Sequence, residues 1–163
     1  MAEVLEWIKF AIDLEQKGLD FYIRCKAQTK NDNAKTFFDF LIHEEARHKT
    51  LLDKELKDVQ AGDLKKIRES SLSFEELHDH IPVFDISNVE KITKPDTALS
   101  DMLNHAMKFE EESIKFYSDC AQKEVNKNMR LLFEALTKQE QEHKTIIKRF
   151  GFKLLGVSPS TIK

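Results

Sequence analysis

The sequence predicts an all-α fold, a bundle of four long helices arranged as two similar hairpins. Three observations predict it: the composition, the spacing of apolar residues and an internal repeat. Charged residues make up 34% of the 163 residues, whereas the sequence contains only 4 glycines and 3 prolines. This composition is typical of long helices with a solvated outer face. Apolar residues recur every three or four positions, which is the spacing of helices and not of strands.

The internal repeat relates segment 11–52 to segment 106–147 by a shift of 95 positions, without a gap. Thirteen residues are identical between the two segments, where average residue frequencies would give roughly two or three. In the first segment the repeated residues are Ala11, Glu15, Phe21, Tyr22, Cys25, Asn31, Asn33, Phe38, Leu41, Glu45, His48, Lys49 and Thr50. The repeat predicts two copies of one helical hairpin, related by a two-fold axis perpendicular to the bundle.

Apolar stripes predict helices at about 2–29, 33–60, 97–123 and 128–149. The chain is expected to form one domain, with hairpins at about 2–60 and 97–149, a crossover at about 61–95 and a C-terminal tail at 150–163. Segments 30–33 and 125–128 are short and rich in N-cap residues, so each should join two antiparallel helices.

The crossover contains Ser73-Phe74-Glu75-Glu76, a capping-box pattern that predicts one short helix, and Asp96 is a plausible N-cap of the third long helix. Loops that run short, long, short favour a ferritin-like bundle over an up-down-up-down bundle, which needs three short loops. In this topology the first and third helices are antiparallel. Cys25 and Cys120 should therefore lie at opposite ends of the bundle, too far apart for a disulfide.

Four of the repeated residues are glutamates and two are histidines, and all six lie on the apolar stripes. Burying an unpaired carboxylate costs several kcal/mol, so four glutamates in a core need a reason. Two divalent cations would balance four carboxylates, and a Glu-x-x-His pair places one oxygen and one nitrogen on the same helix face. The predicted metal ligands are Glu15, Glu45, His48, Glu110, Glu140 and His143.

Neighbouring acids and histidines do not repeat and are expected to be solvated or structural. Glu44 could face His48 at i, i+4, but its repeat mate is Gln139. The other residues placed in this class are His43, His78, His80, His105, Glu111, Glu112 and Glu142. The segment from His43 to His48 does not fit a zincin helix, since its histidines are five positions apart and not four.

Two tyrosines, Tyr22 and Tyr117, each stand seven residues after a repeated glutamate, on the same helix face. They are either core aromatic residues or groups whose hydroxyls hydrogen-bond a ligand carboxylate or a metal-bound oxygen species. The second interpretation makes them candidates for a part in catalysis. Cys25 and Cys120 are expected to be small buried apolar residues.

Composition also bounds the partners and the compartment. A net charge of −3 gives no basic surface for nucleic acid, and no apolar run approaches the ~20 residues of a membrane span. The first residues lack the basic-then-apolar order of a signal peptide. Two cysteines outside any Cys-x-x-Cys pair favour a reducing compartment. A cytoplasmic protein without nucleic-acid or membrane partners is therefore expected.

The chain resembles the di-iron domain of rubrerythrins, within the ferritin-like group. The resemblance is carried by Glu15 to Tyr22, Glu45-x-x-His48, Glu110 to Tyr117 and Glu140-x-x-His143, and it covers nearly the whole chain. It implies two iron ions bridged by the glutamates, with manganese or a mixed pair as alternatives. It further implies a homodimer or larger homo-oligomer and the reduction of peroxide or O₂.

Two departures from the rubrerythrin pattern change these expectations. Rubrerythrins carry a C-terminal rubredoxin domain with Cys-x-x-Cys pairs, which the sequence ending at Lys163 does not contain. We therefore expect an external electron donor such as a rubredoxin. Rubrerythrins also have a further glutamate on the third helix, where this chain has Ser113, the repeat mate of Gly18. These small residues should leave open space beside the metals and no seventh ligand.

Three functions remain open from the sequence. The first is a di-iron oxidoreductase that reduces peroxide or O₂ and is re-reduced by an external donor. The second is iron handling, either as a ferroxidase or in iron storage and delivery. The third is a non-catalytic bundle in which the metal only stabilises the fold. Ligand identity does not distinguish among them, because the same donors suit all three.

Overall fold

A computed structural model describes residues 2–62, 97–124 and 126–156. They form four α-helices: α1 (Ala2–Gln28), α2 (Asp32–Gln60), α3 (Thr97–Lys123) and α4 (Lys127–Leu155). No strand occurs among these residues, and the predicted all-α ferritin-like bundle is confirmed. Most of the predicted crossover, including the capping box at 73–76, and Asp96 lie outside the described residues. None of the described helices is long and apolar enough to cross a lipid bilayer.

Asparagine side chains begin the second helix of each hairpin, as the repeat predicts. The Asn31 side chain accepts a hydrogen bond from the Ala34 amide at 2.9 Å. The Asn126 side chain accepts from the amides of Asn128 and Met129 at 3.0 and 3.2 Å. These bonds satisfy amides that the first helical turn leaves without partners. Helix α1 therefore turns back along α2, and α3 turns back along α4.

Aromatic side chains hold the two hairpins together. Phe37 of α2 stacks on Phe150 of α4 with ring centroids 3.9 Å apart. Trp7 of α1 meets Phe133 of α4 edge to face, with centroids 6.3 Å apart. Offset-stacked and edge-to-face pairs each add about 0.5–1.5 kcal/mol beyond the area that they bury.

The apolar core consists of two clusters, one at each end of the bundle. One cluster contains Ile8, Leu52 and Cys120 and lies toward the α3–α4 loop. The other contains Cys25 and Leu103 and lies toward the α1–α2 loop. Both cysteines are buried and free. Their positions in different clusters agree with the predicted antiparallel arrangement of α1 and α3.

Helix α4 extends six residues beyond its predicted end at 149, so residues 150–155 are helical and not part of a tail. The extension is stabilised by Phe150 and Leu154, which are fully buried and continue the apolar stripe. Gly151 lies buried inside this last segment. The helix ends at Gly156, whose φ of 72° is left-handed and whose amide donates to the Phe152 carbonyl at 2.9 Å.

Candidate metal centre

A layer of buried polar side chains lies in the middle of the helices. Each repeated glutamate is the fourteenth residue of its own helix, and each histidine follows three residues after the glutamate of α2 or α4. The six residues predicted as metal ligands are at most 3% exposed. The structure brings all six together: Glu15, Glu45, His48, Glu110, Glu140 and His143.

Both histidines direct the ring nitrogen Nδ1 toward carboxylates from both hairpins. His48 Nδ1 lies 3.0 Å from a Glu140 oxygen and 3.3 Å from a Glu15 oxygen. His143 Nδ1 lies 3.1 Å from the second Glu140 oxygen and 3.5 Å from a Glu45 oxygen. The two imidazole rings are nearly parallel, with centroids 5.2 Å apart. The site is thus arranged about the same two-fold relation as the sequence repeat.

The potential ligand atoms form two overlapping groups of four, each with all its atoms within 4.8 Å of one another. One group adds Glu15 and His48 to the shared pair Glu45 and Glu140, and the other adds Glu110 and His143 to the same pair. One nitrogen and three carboxylate oxygens are donors that Fe and Mn accept. Among the described residues, one oxygen of each glutamate forms no hydrogen bond: Glu15 Oε2, Glu45 Oε1, Glu110 Oε2 and Glu140 Oε1. The residues present therefore fit a pair of divalent cations.

Burial and mutual repulsion perturb the proton affinities of the glutamates. Burial, with the charges of Glu15 and Glu140, raises the pKa of Glu45 well above its usual range. Burial and the Glu140 carboxylate raise the pKa of Glu110 to about 8. Burial alone would also raise the pKa of Glu140, but His48 and His143 outweigh it and hold that pKa well below its usual range.

The histidines show the complementary effect. Burial by itself would lower the pKa of His48, but the carboxylates of Glu140 and Glu15 outweigh burial and raise that pKa well above the ordinary value. The pKa of His143 is raised in the same way by Glu110 and Glu140. Protons therefore supply the positive charge that balances the carboxylates when no metal is bound. A metal ion would have to displace these protons, which couples metal binding to pH.

Both tyrosines donate hydrogen bonds across the hairpins to ligand candidates. The Tyr22 hydroxyl donates to Glu110, and the Tyr117 hydroxyl donates to Glu15. Burial, followed by the charge of the carboxylate that each faces, raises the pKa of both phenols well above 10. The phenols therefore stay protonated and continue to donate at neutral pH. Their hydrogen bonds orient the glutamates that belong to only one ligand group.

The expectation of open space beside the metals is wrong at Gly18. A Cβ atom there would lie 2.6 Å from Phe109 Cε1 and 3.2 Å from Glu45 Oε2. Glycine at this position lets the Phe109 ring lie against α1, so an aromatic side chain fills the space. Ser113, the repeat mate of Gly18, is 2% exposed. The repeat did not predict this ring, because Phe109 corresponds to Leu14, which is not aromatic.

Among the described residues that were expected to be solvated or structural, most are exposed, but Glu44 is buried. His43, His105, Glu111 and Glu112 are exposed, whereas His78 and His80 lie outside the described residues. Glu44 is only 5% exposed.

The carboxylate of Glu44 accepts a hydrogen bond from Arg47 at 3.0 Å, and its other oxygen lies 3.9 Å from His143 Nε2. Burial alone would raise the pKa of Glu44, but His143 and Arg47 outweigh it and lower that pKa. Its repeat mate Gln139 is also buried, with Oε1 3.3 Å from His48 Nε2. Sequence reasoning missed both contacts, although polar residues at matched repeat positions were a signal for them.

The fold and the site define a ferritin-like four-helix bundle with a buried carboxylate and histidine cluster that could hold two metal ions. The sequence model of one family, described as Rubrerythrin, matches residues 6–151. Because the match covers most of the chain, this protein belongs to the rubrerythrin family. Neither a curated protein nor a solved structure matches the chain significantly.

Proposed function

We propose that the protein is a di-iron oxidoreductase that reduces peroxide or O₂ with electrons from an external donor. The observation that carries the proposal is the pair of overlapping donor groups that share Glu45 and Glu140. Four carboxylate charges balance two divalent cations, which removes the cost of burying the carboxylates without partners. Iron is preferred because the chain belongs to the rubrerythrin family. A homo-oligomer and a rubredoxin as donor are further parts of this proposal, based on the family resemblance.

Bound iron would supply the electrons for reduction, while the protein would fix geometry, access and protonation. His48 and His143 would bind metal through Nδ1, the nitrogen that already faces the carboxylates. Tyr22 and Tyr117 would hold the two unshared glutamates in place through their hydroxyl protons. The apolar clusters above and below the layer exclude water from both ends of the site.

Iron handling is the second candidate, and Ser113 is the observation that favours it. Resemblance to rubrerythrins implies a further glutamate at this position, and serine cannot replace that ligand. A site with six protein ligands could bind Fe(II) as a substrate, catalyse its oxidation by O₂ or peroxide, and release Fe(III) for storage or delivery. The same residues would then bind iron, but iron would be a substrate that leaves the site after each reaction.

Anaerobic loading with Fe(II), followed by stopped-flow mixing with peroxide or with O₂, distinguishes the candidates. Fast reoxidation that repeats when a reductant is present supports the oxidoreductase. Accumulation of ferric mineral at more than two iron ions per chain supports iron handling. A loaded protein that reacts with neither oxidant contradicts both and leaves a metal that only stabilises the fold.

Alanine substitution tests the ligand assignment separately from turnover. Glu45→Ala and Glu140→Ala should each lower binding at both metal positions, because these two residues belong to both groups. Glu15→Ala should impair one position and leave about one ion per chain. Metal content after desalting measures the difference, with Glu111→Ala, exposed next to a ligand, as the control. A Glu45→Ala variant that retains two ions would contradict the shared-ligand assignment.

A further inference from the structure

The two histidines differ in what faces their outer nitrogen, Nε2. His48 Nε2 lies 3.3 Å from the Gln139 side-chain oxygen, which is neutral. His143 Nε2 lies 3.9 Å from a Glu44 oxygen, which carries a charge when ionised. Residues 44 and 139 are repeat mates, so they occupy equivalent places in the two halves. The two halves therefore differ at the residue that faces Nε2 of the histidine in the other half.

This difference changes how strongly each imidazole binds a metal. A carboxylate that accepts the outer N–H of a metal-bound histidine raises the basicity of that ligand, and losing such a partner costs about 10–100-fold in metal affinity. An amide oxygen fixes the ring orientation but adds no charge. Glu44 and Gln139 are equally buried, at 5% exposure each, so the two contacts differ in charge and not in access to solvent.

Two features of the Glu44 contact limit its strength. At 3.9 Å the contact is longer than a hydrogen bond, so the side chains must move about 1 Å closer before Nε2–H can donate. Arg47 also neutralises part of the Glu44 charge, but its side chain is 37% exposed and water screens it. Among the described residues, His143 Nε2 has no other hydrogen-bond acceptor. Glu44 is thus the group available to it.

We propose that Glu44 is a positioning residue that makes the two metal positions unequal, so that the position ligated by His143 binds metal more tightly than the position ligated by His48. The proposal rests on the proposed dinuclear site. Both positions share Glu45 and Glu140 and each has one further glutamate. The ligand sets of the two positions are thus alike in composition, whereas the outer partners of the two histidines differ in charge.

Titration of the metal-free protein with Mn(II), followed by calorimetry and by the EPR signal of free Mn(II), tests the inequality. The wild-type protein should bind two ions in two separated steps. Glu44→Gln should weaken the tighter step on the order of 10-fold and bring the two steps together. Gln139→Glu should instead strengthen the weaker step, and the double exchange Glu44→Gln with Gln139→Glu should restore the separation.

A second measurement reports each histidine directly. Proton NMR of the Co(II)-loaded protein should show two strongly shifted, solvent-exchangeable imidazole N–H signals. Glu44→Gln should move one of them and Gln139→Glu the other. A merely structural role for Glu44 would lower the melting temperature and leave the metal-binding steps and the N–H signals unchanged.

The outcomes separate this inference from the function on which it rests. If the wild-type protein binds no metal, the dinuclear site is wrong and the inference fails with it. If two ions bind but Glu44→Gln alters neither binding step, or alters both equally, the inference alone is overturned. Glutamine has nearly the same shape as glutamate, and the added charge in Gln139→Glu tests the same proposal in the opposite direction.

Discussion

Replacing Glu110 by glutamine should stabilise the metal-free protein and weaken metal binding, two effects of opposite sign from one substitution. Burial, with a contribution from the Glu140 carboxylate, raises the pKa of Glu110 from its ordinary 4.5 to about 8. At neutral pH the folded chain therefore holds a proton there that the unfolded chain has released. Glutamine has the shape of the protonated carboxyl group and needs no proton. It still accepts the hydrogen bond from Tyr22 but replaces a charged metal ligand with a neutral one.

The size of the effect follows from the two pKa values of Glu110. Because the folded-state pKa is raised, the stability from this group is fully present below pH 4.5 and is lost as pH rises toward 8. Each pH unit in that window costs about 1.4 kcal/mol for one group. At a pH of about 7.5 the cost reaches at most about 4 kcal/mol, and at about pH 5 it is below about 1 kcal/mol. The stabilisation of the metal-free protein by Glu110→Gln should therefore be larger at pH 7.5 than at pH 5.

Urea denaturation in the presence of a chelator, at pH 5 and at pH 7.5, measures this gain. Glu112→Gln, which changes an exposed acid on the same helix, is the control and should have little effect at either pH. When Mn(II) is added, the order should reverse and the wild-type protein should become more stable than Glu110→Gln. The reasoning is refuted if Glu110→Gln destabilises the metal-free protein at pH 7.5, or if its effect is the same at both pH values.

Four further predictions follow from the same structure. Fe(II) or Mn(II) should raise the melting temperature, more at pH 7.5 than at pH 5, because protons compete for the buried glutamates; an unchanged melting curve after chelation would contradict a buried site. Tyr117→Phe should cost about 1.5–3 kcal/mol in urea denaturation, since it removes a donor to a buried carboxylate. Cys25 and Cys120 should remain unlinked in a non-reducing peptide map and resist thiol reagents at pH 8, because burial raises their pKa values to about 11 and about 12. Phe150→Ala should cost about 3–5 kcal/mol, whereas Phe152→Ala, at 59% exposure, should cost little.

The sequence alone identified the ligand candidates, because the repeat separates residues that are identical in both halves from residues that are not. A glutamate at position 15 alone is one of 29 acidic residues and is uninformative. Glu15 is identical to Glu110 at the matched position of an apolar stripe, which indicates that both halves need a carboxylate there. The structure places both carboxylates in the buried layer, at the same position in their helices. Repeated polar residues on an apolar stripe therefore predicted the composition of that layer.

The same filter explains what the sequence did not show. Glu44 was set aside because it differs from Gln139, yet both side chains are buried against histidines. Identity detects what the two halves share, and it discards positions where they have diverged in charge. The repeat also gives no information about Phe109, a residue of α3 that packs against Gly18 of α1. Such contacts depend on the relative placement of the hairpins, which spacing along the sequence does not fix.

The placement of the ligand candidates relates metal binding to the association of the hairpins. Each group of four donors takes three residues from one hairpin and one from the other, and the residue contributed across is a shared glutamate. Glu45 belongs to the first hairpin and Glu140 to the second. Two bound ions would therefore join the hairpins twice, at the level where the apolar clusters leave a polar gap. Without metal, only protons offset the repulsion between the carboxylates in that layer, and the aromatic contacts at both ends must hold the hairpins together. Metal binding and hairpin docking are thus coupled, because neither complete ligand group exists in a single hairpin.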